Sequence, residues 1–244
     1  MIQAITKKAS LFRRAPVETF RGLDPRYELK YVHDRAHLLL SDEEILGVQF
    51  PLRRSFPNRT VCNVYFDTIG LRCFAESLAG VSRRTKARIR WYGAVENAVK
   101  PKLEVKRRYN QIGTKEQFAV PTINLEDHSW SDIRRSVRGS LPAEAVRVYD
   151  TFSATVLINS YRRSYFESMD GKLRLTIDRD LEFYDQRLRS RPNLNYDREK
   201  VGHTIIEVKC AVENRSLATT LTKRLGLRRV RMSKYCLGVE RLVR

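Results

Sequence analysis

The sequence predicts an α+β fold whose main body is an eight-stranded antiparallel β-barrel with flanking helices. Eight stretches alternate apolar and polar residues, the mark of a strand with one covered face. Helical stretches fall between them, two opened by a capping residue. Eight strands closed on themselves lose their exposed edges and leave an interior wide enough for a ligand. A packed open sheet is the other stable answer to the same pattern.

In chain order, the first strand spans residues 26–32 and sends Arg26, Glu28 and Lys30 to one side, Tyr27, Leu29 and Tyr31 to the other, because side chains two apart in a strand share a face. A helix follows over 34–46 with Asp34 as its cap, then a strand over 60–67 and a helix over 71–78. The strand at 83–92 sets Arg84, Lys86, Arg88 and Arg90 against Thr85, Ala87, Ile89 and Trp91. The next, 101–109, sets Glu104, Lys106 and Arg108 against Leu103, Val105 and Arg107. A helical pair lies across 125–150, before strands at 154–167, 173–178, 181–185 and 204–210. In these, Arg174, Thr176 and Asp178 oppose Leu173, Leu175 and Ile177, and Glu207 and Lys209 oppose Ile206 and Val208. Helices at 216–225, capped by Ser216, and 233–243 complete the chain. Residues 187–200 and the first ~20 read as disordered, polar and basic as they are.

The chain has 244 residues, with 47 Lys and Arg against 28 Asp and Glu and a formal charge of +19. Such an excess implies an anionic partner: nucleic acid, an anionic membrane surface or a small multivalent phosphate compound. Cys62, Cys73, Cys210 and Cys236 form no CxxC pair, and no secretory signal or apolar run of membrane-spanning length is present. A soluble protein of the reducing cytoplasm is expected. No helix-turn-helix or zinc-finger spacing supports nucleic acid as the partner, and no Gly-rich phosphate loop is present, so side chains must bind any phosphate.

Five strands thus carry one charged face each. For any one strand the plainer reading is a solvated outer face. Glutamate, however, recurs inside otherwise basic rows, as Glu28 before Lys30, Glu104 before Lys106 and Glu207 before Lys209, a mixture suited to a divalent metal beside bound phosphates. If helices cover the apolar faces, the charged rows line the interior, where like charges repel unless water or a multivalent anion compensates them.

The segments RYELKY from Arg26, VYFDT from Val64, KARIRWY from Lys86, LEVKR from Leu103, YRRSYF from Tyr161, LRLTID from Leu173, IEVK from Ile206 and SKY from Ser233 together resemble the VTC domain, the polyphosphate polymerase domain of the vacuolar transporter chaperone family within the triphosphate tunnel metalloenzymes. The likeness runs from about Asp24 to the C-terminus, leaving 1–23 as a basic extension and 24–244 as the tunnel domain. It implies a tunnel that binds ATP and inorganic polyphosphate with manganese or magnesium at one end. Lys30, Arg88, Arg90, Lys106, Arg163 and Lys234 would be the phosphate-binding, catalytic cations, Glu207 the metal ligand, and Glu28 and Glu104 weaker metal-side candidates. The implied activity is metal-dependent transfer of the γ-phosphoryl group of ATP to polyphosphate.

The rivals are a triphosphatase and a non-catalytic basic protein that binds polyphosphate or nucleic acid. The triphosphatase branch opens with Glu-x-Glu-x-Lys; this chain has Arg26 in the first position, which favours phosphoryl transfer over hydrolysis. A membrane-protein partner is not visible in the sequence. His33 and His37 are spaced for metal but lack a third ligand, and Cys62 reads as core rather than nucleophile.

Overall fold

The computed structural model describes residues 26–33, 41–109, 112–227, 229–230 and 232–242. The extension 1–23, the cap Asp34 and His37 lie outside them. Among the described residues no helix is long and apolar enough to cross a membrane.

The strands are β1 (Arg26–His33), β2 (Leu52–Asp67), β3 (Arg83–Tyr92), β4 (Asn97–Ala98), β5 (Lys102–Tyr109), β6 (Ile112–Ala119), β7 (Ile123–Asn124), β8 (Ala154–Ser168), β9 (Leu173–Asp185), β10 (Arg198–Val201) and β11 (Thr204–Ala211). The helices are α1 (Asp42–Gly47), α2 (Arg72–Leu78), α3 (Trp130–Ser140), α4 (Ala143–Thr151), α5 (Arg215–Arg224) and α6 (Lys234–Leu242). Among the described residues nine strands make one antiparallel sheet in the order β1-β11-β9-β8-β2-β3-β5-β6, with β10 beside β9.

The α+β class holds, but the closed eight-stranded barrel does not: no ladder joins β1 to β6 among the described residues. The sheet curls instead. Lys106 of β5, one strand in from the β6 edge, reaches Glu28 on the β1 edge at 3.0 Å, so opposite edges face each other through side chains. Two side chains span a wider gap than the ~4.8 Å of a backbone ladder, and the sheet stays open.

Helices cover the outer, apolar face as the alternation requires. Trp130, Ile133 and Val137 of α3 and Tyr149 of α4 pack with Val64, Phe66, Ile89 and Leu103, Phe66 meeting Tyr149 edge-on at 5.3 Å. Ile45 of α1 and Ala218 and Leu221 of α5 cover Leu29, Leu175, Ile177, Ile206 and Val208. The charged rows are left on the inner face.

Several local expectations are corrected. Helix α1 starts at Asp42 under a Ser41–Glu44 capping box. Helix α5 starts at Arg215 after a 3-10 turn, with Asn214 rather than Ser216 at the cap and no side-chain cap bond. The two strands expected at 173–178 and 181–185 are one, β9, continuing through Asp180 at a φ of 55°. Residues 187–200, expected to be disordered, are folded: the Gln186 side chain donates to the Asn193 carbonyl and accepts from the Asn193 amide, Asn193 Oδ1 accepts from the Tyr196 amide, and β10 forms the end of the stretch.

Helix α6 packs on the inner face at one end of the sheet. Tyr235 stacks on Tyr65 at 5.3 Å and donates to Asp67 Oδ2 at 2.6 Å. Asp67, fully buried, also accepts from the amides of Thr68, Cys73 and Phe74, so one carboxylate satisfies orphan amides of α2 and holds α6 to the sheet.

Candidate active site

The inner face gathers side chains from eight strands and from the first turn of α6. On β8, Tyr161 and Arg163 point inward while Arg162 is exposed. Arg163 donates to both oxygens of Asp178 on β9, at 2.5 and 2.8 Å. Lys234 of α6 reaches Asp178 Oδ2 at 2.5 Å and Glu207 Oε1 at 3.3 Å, and lies 4.8 Å from the centre of the Tyr161 ring. On β11, Glu207 also meets Lys30 of β1 at 3.4 Å and Lys209 at 3.4 Å. Lys30 turns on to Glu28 at 3.3 Å, and Glu28 to Lys106 at 3.0 Å. The chain of alternating charges therefore runs from β8 across β9, β11 and β1 to β5.

A second group sits on β3, β5 and β6. Arg88 grips Glu104 through Nη2 at 2.6 Å and Nε at 2.9 Å, and Glu104 also receives Lys115 at 3.3 Å and the Gln117 amide at 2.5 Å. Arg90 links the two groups: Nε donates to Asn63 at 2.8 Å and Nη2 to the Tyr161 hydroxyl at 3.1 Å. Asn63 in turn donates to Asn159 Oδ1 at 2.7 Å.

All nine residues singled out in the sequence, Lys30, Arg88, Arg90, Lys106, Arg163, Lys234, Glu207, Glu28 and Glu104, are on this face. They fall into two groups. Glu28 and Glu207 meet across Lys30; the described partners of Glu104 are Arg88, Arg90, Lys115 and Gln117. Asp178 and Tyr161 were missed as site residues. Asp178 was visible in the alternating row of β9, but a carboxylate without a basic neighbour two residues away gave no mixed-charge signal. Lys115 and Gln117 were hidden because β6 was not recognised as a strand.

Electrostatics follow from this enclosure. Burial pushes the Glu207 carboxyl up, but Lys30, Lys234, Lys209 and Arg163 overcome it and hold the acid well below its ordinary range. Glu28, Glu104 and Asp178 are likewise held low against burial by their cations. Burial also raises the Tyr161 phenol, yet Arg90, Arg163 and Lys234 together bring it below its usual value. Lys86 goes the other way: burial, with Lys30 and Arg84 nearby, lowers it to about 8. Among the described residues, the carboxylates Glu28, Glu104, Asp178 and Glu207 share this face with nine cations, Lys30, Lys86, Arg88, Arg90, Lys106, Lys115, Arg163, Lys209 and Lys234.

Hard oxygen donors are present for a divalent metal. Among the described residues no three His, Cys, Asp or Glu side chains converge on one point. Two carboxylates, Glu28 and Glu207, do converge, sharing the Lys30 ammonium. Magnesium-like ions take one or two carboxylates from protein and complete their shell with water and phosphate oxygens, so the donor chemistry fits an ion bound with phosphate. Thr176 Oγ1, paired in register with Glu207, and Asn159 Nδ2 are buried polar atoms with no hydrogen-bond partner among the described residues.

The family model described as the VTC domain matches residues 25–243. None of the curated proteins compared matches the chain. Among solved structures, a putative adenylyl cyclase from Hippeastrum, described as having a dominant triphosphatase activity, is 19% identical with a TM-score of 0.46, the match covering 88% of this chain and 94% of that one. A putative adenylate cyclase from Vibrio parahaemolyticus is 14% identical with a TM-score of 0.45, covering 87% of this chain and 97% of that one.

Proposed function

The chain belongs to the VTC domain family, and we propose that it is a polyphosphate polymerase, transferring the terminal phosphoryl group of ATP to the end of a growing inorganic polyphosphate chain. One observation carries this reading: among the described residues, cations outnumber carboxylates on the inner face of a curled sheet. An excess of positive charge of that kind, half withdrawn from water, suits a multivalent phosphate chain better than any single carboxylate or monoester. The domain is residues 24–244, with 1–23 as a basic extension.

Phosphoryl transfer needs alignment and charge neutralisation more than proton chemistry. Arg90, Arg163 and Lys234, gathered around Tyr161, hold the transferred group, and the Tyr161 hydroxyl steadies Arg90 beside it. Lys30, Lys106 and Arg88 bind the flanking phosphates by exchanging their carboxylate partners for phosphate oxygens. A terminal oxygen of the acceptor chain bonds to the γ-phosphorus as its bond to the β–γ bridging oxygen breaks, and ADP leaves. Glu207 and Glu28 would hold manganese or magnesium, which when bound supplies further neutralisation of phosphate charge. Arg26 stands where hydrolytic relatives have a glutamate, which supports transfer to phosphate over transfer to water.

Incubation with ATP and manganese, with products resolved on a gel, tests the reading. A ladder of polyphosphates is expected. Orthophosphate alone would replace the polymerase with a triphosphatase, and no turnover would leave a binding protein.

A further inference from the structure

We propose that the open end of the interior carries a stacking platform for the base of a nucleoside triphosphate, formed by Phe56, Tyr92 and Tyr165 around Arg59. The proposal rests on the reading of the interior as a phosphate site and adds the nucleoside to it.

Inward positions along β8 become steadily more open, from Tyr161 at 2% exposure through Arg163 at 7% to the half-buried Tyr165. Along β3 the inward row runs from Arg88 and Arg90 to Tyr92, which is 49% exposed. On β2, Arg59 stands opposite Arg163 in register, and Phe56 opposite Tyr165. Each strand therefore leaves the cationic interior and presents an aromatic ring at the same end, away from α6. The rings are gathered by one side chain: the Arg59 guanidinium lies 5.3 Å from the Phe56 ring centre, 5.6 Å from Tyr92 and 5.9 Å from Tyr165. Phe56 meets Tyr165 edge-on at 5.8 Å, and Arg163 lies 6.0 Å from the Tyr165 ring.

Phe56 is 54% exposed, so this cluster leaves much of its apolar surface in water. A bare phosphate chain has no use for aromatic faces. A nucleobase does, because every base has a π-face that stacks on aromatic rings and on an arginine plane. With its phosphates on Arg90 and Arg163, a nucleotide places its ribose and base over the next inward position of the same strands. Stacking of this kind is tolerant of base identity, so ATP, GTP and CTP should all be accepted.

Titration calorimetry on the full chain, with ATP and with inorganic tripolyphosphate, tests this in wild type, Phe56→Leu and Tyr92→Leu. Each variant should weaken ATP about tenfold and leave tripolyphosphate within about twofold. Equal losses for both ligands would make the cluster a structural staple and overturn the platform, as would ATP binding that neither variant changes. Wild type that binds no tripolyphosphate would overturn the phosphate reading and the platform with it. A second measurement uses 2-aminopurine riboside triphosphate, whose fluorescence should be quenched on binding to wild type and not on binding to Tyr92→Leu. No quenching in wild type would overturn the proposal.

Discussion

Lys86 differs from its inward neighbours in what it touches. Lys30, Lys106, Lys209 and Lys234 each reach a carboxylate, whereas Lys86 Nζ meets Ser233 Oγ at 3.1 Å and the Tyr235 ring at 5.7 Å. Its ammonium is left with burial and with Lys30 and Arg84, which bring it to about 8 from an ordinary 10.5. Between those two values the unfolded chain holds a proton that the folded chain has released, so the contribution of Lys86 to stability rises with pH across that window, and its penalty is complete below about 8. A phosphate bound beside it favours the protonated form. Tripolyphosphate affinity should therefore fall about fivefold between pH 8 and 9, and Lys86→Arg, charged throughout, should flatten that slope. Calorimetric titrations across the pH range read the difference; an identical slope in the variant would move the effect elsewhere. The sequence placed Lys86 correctly in an inward row, but its partner Ser233 lies 147 residues later, just ahead of α6.

Elements repeat that division. Strands β1, β3, β5 and β11 were legible because their alternation is clean. The first half of β2 was not: Arg53, Arg54, Phe56, Pro57, Arg59 and Thr60 are all exposed, and register shifts at Arg54/Phe56 and Phe56/Arg59 break the period of two. That half carries Phe56 and Arg59, so the aromatic end of the interior was invisible in the pattern. The polar β6 and short β10 are side strands of the sheet with little covered face to record in sequence. Helix α6 was expected, but not its position inside the curl. Gly238 lets it approach: a methyl group there would lie 2.5 Å from Phe183 Cδ1 and 2.6 Å from Leu157 Cδ2, closer than carbon atoms pack. Gly238→Ala should cost about 1–3 kcal/mol of stability, seen as a lower denaturant midpoint at unchanged slope, and should weaken phosphate binding by shifting Lys234. A variant as stable as wild type would show that α6 docks more loosely than this contact requires.

Across the whole molecule, the excess of inward cations makes ligand binding and stability one quantity. A chain phosphate that spans both charge groups relieves repulsion that orthophosphate, touching one, cannot. At a hundred times its dissociation constant a ligand adds about 2.7 kcal/mol, which for a domain of this size is a rise of about 5–10 °C in Tm. Tripolyphosphate should give that shift in thermal melts, with orthophosphate at equal ionic strength giving little; equal shifts would reduce the interior to a site for single anions. Sequence by itself determined the charge excess and the inward rows, because strand periodicity assigns each side chain a face without reference to its neighbours, while its likeness to the VTC domain singled out the nine candidate residues. Tertiary structure alone decided that the sheet curls without closing, that Asp178 and Tyr161 join the site, that Glu28 and Glu207 share Lys30 while Glu104 stands apart with Arg88, and that aromatic rings end three of the strands at the same opening. These depend on strand order, register shifts and the path of α6, which bring together residues more than a hundred positions apart, and alternation within one strand holds no record of which strand will lie across from it.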